Sequence, residues 1–238
     1  MNNLGGVRAV YMKEMLGYFR SPIAYFVIAV FLLGTGYFFT YNIFLTGIGT
    51  MDSTLQNMGI LLLIIAPVLT MRLFSAEYNA RTMELLMTLP LPTWQVVVGK
   101  YLGAVSIFLL MTLATCINLV PLYLFGSPQT LNIISGYLGF ILLGMTCIAI
   151  GQFFSALTEN QIVAALITIP VLLGFWFVGH LQQLMSSLLL RDLVTHLSFA
   201  LHFADFIRGL LRSEGIAFFA AVIACALTLN TGYLQLRR

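Results

Sequence analysis

The stretch "EYNARTMELLMTLPLPTWQVVVGK", Glu77 to Lys100, decides how the rest of the chain is read. Of the chain's 11 basic and 8 acidic side chains, Glu77, Arg81, Glu84 and Lys100 fall here, inside an otherwise apolar sequence. On a helix, Glu77, Arg81, Glu84 and Thr88 share one face, and Tyr78, Thr82, Leu85 and Leu89 share a neighbouring one. The spacing predicts a short helix over Glu77–Leu89, with Glu77–Arg81 and Arg81–Glu84 pairs worth a few tenths of a kcal/mol each. Pro90 and Pro92 forbid its continuation. Trp94 then suits an interfacial anchor where the chain re-enters an apolar phase.

Outside this island lipid is the expected solvent. The chain is 60% hydrophobic and 8% charged, with a mean hydropathy of +0.99, whereas soluble domains carry about a quarter charged residues. Its apolar runs are long, which favours helices over an outer-membrane barrel. Six runs approach the roughly twenty residues a bilayer core needs. They are Pro22–Tyr41, Leu55–Phe74, Gly99–Leu124, Asn132–Leu157, Ile162–His180 and Gly215–Leu234. The fold class is an all-α membrane protein with six spans, in one domain over residues 1–238. No small-residue cleavage site follows the first run, so that run is expected to be an uncleaved anchor.

Lysine and arginine set the orientation. With a cytoplasmic N-terminus, Arg8, Lys13, Arg20, Arg72, Arg81, Lys100, Arg237 and Arg238 lie inside, and only Arg191, Arg208 and Arg212 lie outside. Six spans return the C-terminus to the cytoplasm and put the charged island there, between spans two and three. Residues 1–21 set Leu4, Val7, Tyr11, Met15 and Tyr18 at helical spacing, with Lys13 and Arg20 opposite and Arg8 near the stripe, where it must snorkel. This predicts a helix lying in the cytoplasmic interface. Residues 181–213 are apolar but punctuated by Arg191, Asp192, Asp205, Arg208 and Arg212, and predict one or two short helices on or in the outer leaflet.

The chemistry absent is as informative. Gly99–Lys100 is followed by Tyr101, and Trp94 stands where a Walker A motif needs its first glycine, so ATP is not bound by that route. No zincin, nucleophile-elbow or Cys/His metal spacing occurs. Cys116, Cys147 and Cys225 read as small hydrophobes, and His180, His196 and His202 as interfacial residues. No cofactor and no nucleic-acid partner are expected. Asn118, Gln152 and Asn230 read as helix–helix hydrogen-bond partners. An ion-coupled transporter needs an ionisable group at mid-membrane, and none is apparent. Energy for any work is therefore expected to enter through another chain. The island is then either a docking helix for that chain or a solvated loop, and spacing alone does not separate the two.

Read together, the motifs resemble a family. "MRLFSAEYNARTMELLMTLPLPTWQVVVGKYLGA" is similar to the cytoplasmic segment of type-2 ABC exporter permeases, with Arg72, Glu77, Thr82, Glu84, Leu85, Leu86, Pro90, Gly99 and Lys100 matching. "SPIAYFVIAVFLL" (residues 21–33), "SALTENQIVAALIT" (155–168) and "HFADFIRGLL" (202–211) resemble the gliding-motility, GldF-like subgroup. Arg81 departs from the pattern, which usually has glycine there; arginine suggests a continuous helix. The resemblance implies a non-catalytic inner-membrane permease subunit of a bacterium. It implies ATP and magnesium on separate ATPase subunits, a second permease copy or paralogue, and a companion membrane subunit with a large periplasmic domain. Glu77, Arg81, Thr82, Glu84, Leu85 and Leu89 would form the coupling helix seated on the ATPase. Arg8, Lys13 and Arg20 would belong to the interfacial helix, and His202, Phe203, Arg208 and Gly209 to the re-entrant outer segment. The same motifs would serve a scaffold that anchors an ATPase to a periplasmic machine without moving a substrate. An intramembrane enzyme is disfavoured, since no convergent acid, base, nucleophile or metal set is visible.

Overall fold

The computed structural model describes residues 3–46, 51–83, 91–125, 129–184 and 194–236, and these contain helices and no strand. The helices are α1 (Asn3–Phe19), α2 (Pro22–Thr46), α3 (Asp52–Thr70), α4 (Arg72–Asn79) and α5 (Thr93–Thr115). They continue with α6 (Leu119–Phe125), α7 (Thr130–Leu157), α8 (Gln161–Phe177), α9 (Phe199–Ile207) and α10 (Ser213–Leu236). A 3-10 turn at Cys116–Asn118 joins α5 to α6, and another follows α8 over Val178–Leu184. Among the described residues, six segments are long and apolar enough to cross a membrane: Pro22–Ile43, Asp52–Asn79, Thr93–Leu124, Thr130–Leu157, Gln161–His180 and Ser213–Leu236.

The six expected spans are therefore present, with two boundary corrections that matter. Span two extends beyond Phe74 to Asn79, through a break at Met71. Span three begins at Thr93, not Gly99. Pro92 is extended (φ −66°, ψ 141°) and acts as the N-cap, so the helix opens as soon as proline permits. Nearly two helical turns are thereby added at the start of α5, and Lys100 is carried into the bundle.

Spans two and four are central: 67% of an 18-residue apolar window in each is buried, against 28% of the corresponding window in span one, 33% in span five and 22% in span six. Aromatic rings seated over small residues fill the interior, since close backbone approach is what packs helices in lipid. Phe140 on α7 lies 6.1 Å from Phe31, 5.5 Å from Phe108 and 6.4 Å from Phe203. A Cβ at Gly59 would come within 2.9 Å of both Phe203 and Trp176, and one at Gly139 within 2.5 Å of Phe206. Helix α9 thus dips into the bundle. Phe203 and Phe206 are buried, and Ser135 Oγ on α7 donates to the Phe206 carbonyl at 2.5 Å.

Of the expected interhelical amides, Gln152 donates to the Val97 carbonyl at 2.9 Å. Asn118 is half-buried in the 3-10 turn. Asn230 is fully buried on α10, and neither of its side-chain polar atoms has a partner among the described residues.

Candidate functional site

The helix expected over Glu77–Leu89 is not continuous. α4 stops at Asn79, and Arg81 takes a left-handed φ of 54°. The Thr82 N–H bonds the Glu77 carbonyl and the Arg81 N–H bonds that of Tyr78, both at 3.0 Å. These are the two bonds of a Schellman ending, in which the left-handed position normally belongs to glycine. The resemblance places glycine there, and arginine here adopts glycine's conformation. α9 ends in the same way, with Gly209 at φ 82°, Leu210 N–H to Asp205 O at 2.9 Å and Gly209 N–H to Phe206 O at 3.1 Å. A left-handed non-glycine residue costs roughly 1–2 kcal/mol. Arg81→Gly is therefore expected to raise the melting temperature by a few degrees and Arg81→Val to lower it, as read by thermal unfolding in detergent.

The break changes what Glu77 does. The expected Glu77–Arg81 pair does not form; Arg81 is exposed and Glu77 turns inward. Its Oε1 accepts from Lys13 Nζ at 2.6 Å, and its Oε2 lies 3.1 Å from Lys100 Nζ. Lys100, only 1% exposed, also donates to Glu14 Oε1 at 2.5 Å and to the Leu73 carbonyl at 2.7 Å. Its ammonium stands 5.2 Å from the centre of the Phe74 ring, within cation–π range. Two cations and two carboxylates thus neutralise one another. The solvated Lys13 pair contributes little. Buried Lys100 is the consequential member, because a buried ammonium persists only when it is paired and hydrogen-bonded.

The cluster joins three elements: Lys13 and Glu14 come from α1, Glu77 from α4 and Lys100 from α5. α1 reaches α5 because Gly99 and Gly103 present no side chain there. A Cβ at Gly99 would come within 2.8 Å of Val10 and 3.1 Å of the Val7 carbonyl, and one at Gly103 within 2.8 Å of Glu14 Cβ. A second tie lies at the other end of α1. Tyr18 donates to the Leu69 carbonyl at 2.9 Å, Arg72 bonds Ser21 Oγ, and the Arg72 guanidinium stands 5.9 Å from the Tyr18 ring. Burial, helped by the Glu14 charge and opposed by Arg72, pushes the Tyr18 phenol well above its ordinary value, so it stays a donor.

The other residues singled out from sequence occupy several environments. Lys13 on α1 and Arg20 just beyond its end are exposed, on the side the helical spacing gives them, and Arg8, expected near the apolar stripe, is exposed too. That helix is not simply laid on a lipid surface, because Gly6, Val10 and Tyr18 are buried. Thr82 is exposed beside Arg81, while Glu84, Leu85 and Leu89 lie outside the described residues. In and just after α9, His202 stacks on Phe218 at 4.4 Å, Phe203 is buried and Arg208 is exposed. Sequence reasoning missed Lys100 and Glu14 as partners. The small-xxx-small pair Gly99 and Gly103, flanking Lys100, was the available signal that another helix approaches there.

Residues 41–191 match the sequence model of a family described as ABC-2 family transporter protein. The match spans α3 to α8 and includes Glu77, Arg81 and Lys100. No curated protein matches the chain.

Proposed function

This chain belongs to the ABC-2 family of transporter proteins, and from that premise we propose that it is the permease subunit of an ATP-driven exporter of the bacterial inner membrane. ATP and magnesium sit on separate ATPase subunits, and a second permease copy or paralogue completes the pathway. The segment from Arg81 to Leu89, entered through the left-handed turn, is the part that docks on the ATPase. Glu77 is not a contact in this reading; it holds the root of the segment from within. The gliding-motility-like subgroup, with a companion subunit bearing a periplasmic domain, is the finer assignment that the outer "HFADFIRGLL" motif supports.

The observation that carries this reading is the buried Lys100 cluster. A loop that only linked two spans would need no desolvated ion pairs at its base. Here the end of α4 is fastened to α1 and α5, so force on the docked segment reaches three helices together. ATP-driven closure of the ATPase dimer would then move the segment and shift the spans as rigid bodies. Arg81→Glu combined with Glu84→Lys, in the intact complex, is expected to cut co-purified ATPase and transport by about tenfold, equivalent to ~1.4 kcal/mol of interface. The melting temperature of the permease itself should barely change. Unaltered co-purification together with unaltered transport would refute the docking assignment.

A further inference from the structure

A second fastening of α4 lies outside the ion-pair cluster. Ser155, fully buried near the end of α7, places its Oγ 3.1 Å from the Phe74 N–H and 3.2 Å from the Ser75 N–H, and accepts from both. The same hydroxyl donates to the Met71 carbonyl at 2.8 Å, and Ser75 Oγ donates to the Ser155 carbonyl at 2.9 Å. The first N–H groups of a helix have no partners within it. Met71, the residue before α4, offers no capping side chain. Ser155 therefore acts as an N-terminal cap for α4 supplied by another span. The backbones come close enough for this because Gly151, one turn earlier on α7, leaves no room for a Cβ against Thr70. Pro67 lies four residues before Met71 on the same span, and having no N–H it weakens the helical ladder leading into the break.

We infer that Ser155 is a positioning residue that makes α4 and α7 one mechanical body. Displacement of α4 is delivered through it into span four, one of the two central helices, independently of the route through Lys100 to α1 and α5. The inference rests on the coupling role proposed for the segment after α4.

The test uses the complex in lipid nanodiscs, with Cys116, Cys147 and Cys225 replaced by serine. Spin labels at Asn79→Cys and at Glu159→Cys are each measured against Leu236→Cys, with and without ATP. In the parent protein both distances are expected to change on ATP binding. In Ser155→Ala the Asn79 change should persist, the Glu159 change should fall by at least half, and amide exchange at Phe74 and Ser75 should rise about tenfold, equivalent to ~1.4 kcal/mol and within the range for loss of a hydrogen bond. Retention of both distance changes in Ser155→Ala, or unaltered exchange, overturns the inference while leaving the coupling reading intact. Absence of any ATP-driven change at Asn79 in the parent overturns that reading and the inference with it. If Ser155→Ala does not assemble, Ser75→Ala removes the return bond and the 3.3 Å contact between the two hydroxyls while leaving the Ser155 cap, and should reduce the Glu159 change; no reduction overturns the inference.

Discussion

Lys100→Met should lower the melting temperature by roughly 10 °C and abolish transport. The substitution keeps the length and apolar stem of the side chain but removes the ammonium. Glu14 and Glu77, only 15% and 11% exposed, would then face each other's charge with no buried cation between them. Removing one partner of a buried ion cluster costs about 3–5 kcal/mol, because the remaining charges are left desolvated. Removing the opposing charges as well should relieve much of that loss. Glu14→Gln and Glu77→Gln in the Lys100→Met background are expected to recover at least half of the lost stability. They should not recover transport, since the fastening of α4 to α1 and α5 is still missing. Thermal unfolding of these variants, scored with vesicle transport, separates the stabilising role from the coupling role. Lys100→Met with unchanged melting and transport would show that the cluster serves neither.

Gly99→Val is the second large effect expected. The new Cβ would come within 2.8 Å of Val10 Cβ and 3.1 Å of the Val7 backbone oxygen. The side chain of Val10 could turn aside, but the Val7 carbonyl belongs to a helix and cannot, so α1 itself must move off α5. Overpacking of this kind costs about 1–3 kcal/mol, and the movement also draws Glu14 away from Lys100. Faster tryptic cleavage after Lys13 or Arg20 would report α1 leaving the bundle. Gly17→Ala is the control, since nothing lies within 4 Å of the place its Cβ would take; a helical glycine replaced by alanine there should gain about 0.5–1 kcal/mol. Equal cleavage rates for Gly99→Val and the parent protein would show that α1 does not depend on this close approach.

The spans and α1 were legible in the sequence because they obey simple rules. Uninterrupted apolar runs fix the spans, and Val7, Tyr11, Met15 and Tyr18 repeat at helical intervals. Lys100 was not legible, because a lysine near a span edge ordinarily snorkels to the interface. Its partner Glu14 is 86 residues away, so no local spacing announces the pair. Hydropathy alone starts the third span at Gly99, which leaves Lys100 at the lip; the helix in fact opens at Thr93, and that earlier start buries the charge. Arg81 misled for another reason. Propensity favours arginine in a helix, whereas the Schellman bonds from Thr82 and Arg81 fix the left-handed turn irrespective of the side chain. Ser155 was visible as part of a motif near the turn between spans four and five, but its role depends on where α4 begins, and that is a tertiary fact.

Photo-crosslinking from Thr82, replaced by a benzophenone amino acid in living cells, tests the central claim most directly. Thr82 is exposed immediately beyond the left-handed turn, at the base of the proposed docking segment. The expected result is a cross-link to a nucleotide-binding ABC ATPase from this position and none from Arg208, which lies on the outer side in the topology predicted from the charge distribution. A Thr82 probe that captures no ATPase, or captures it no more than the Arg208 probe does, would contradict the docking role of this segment.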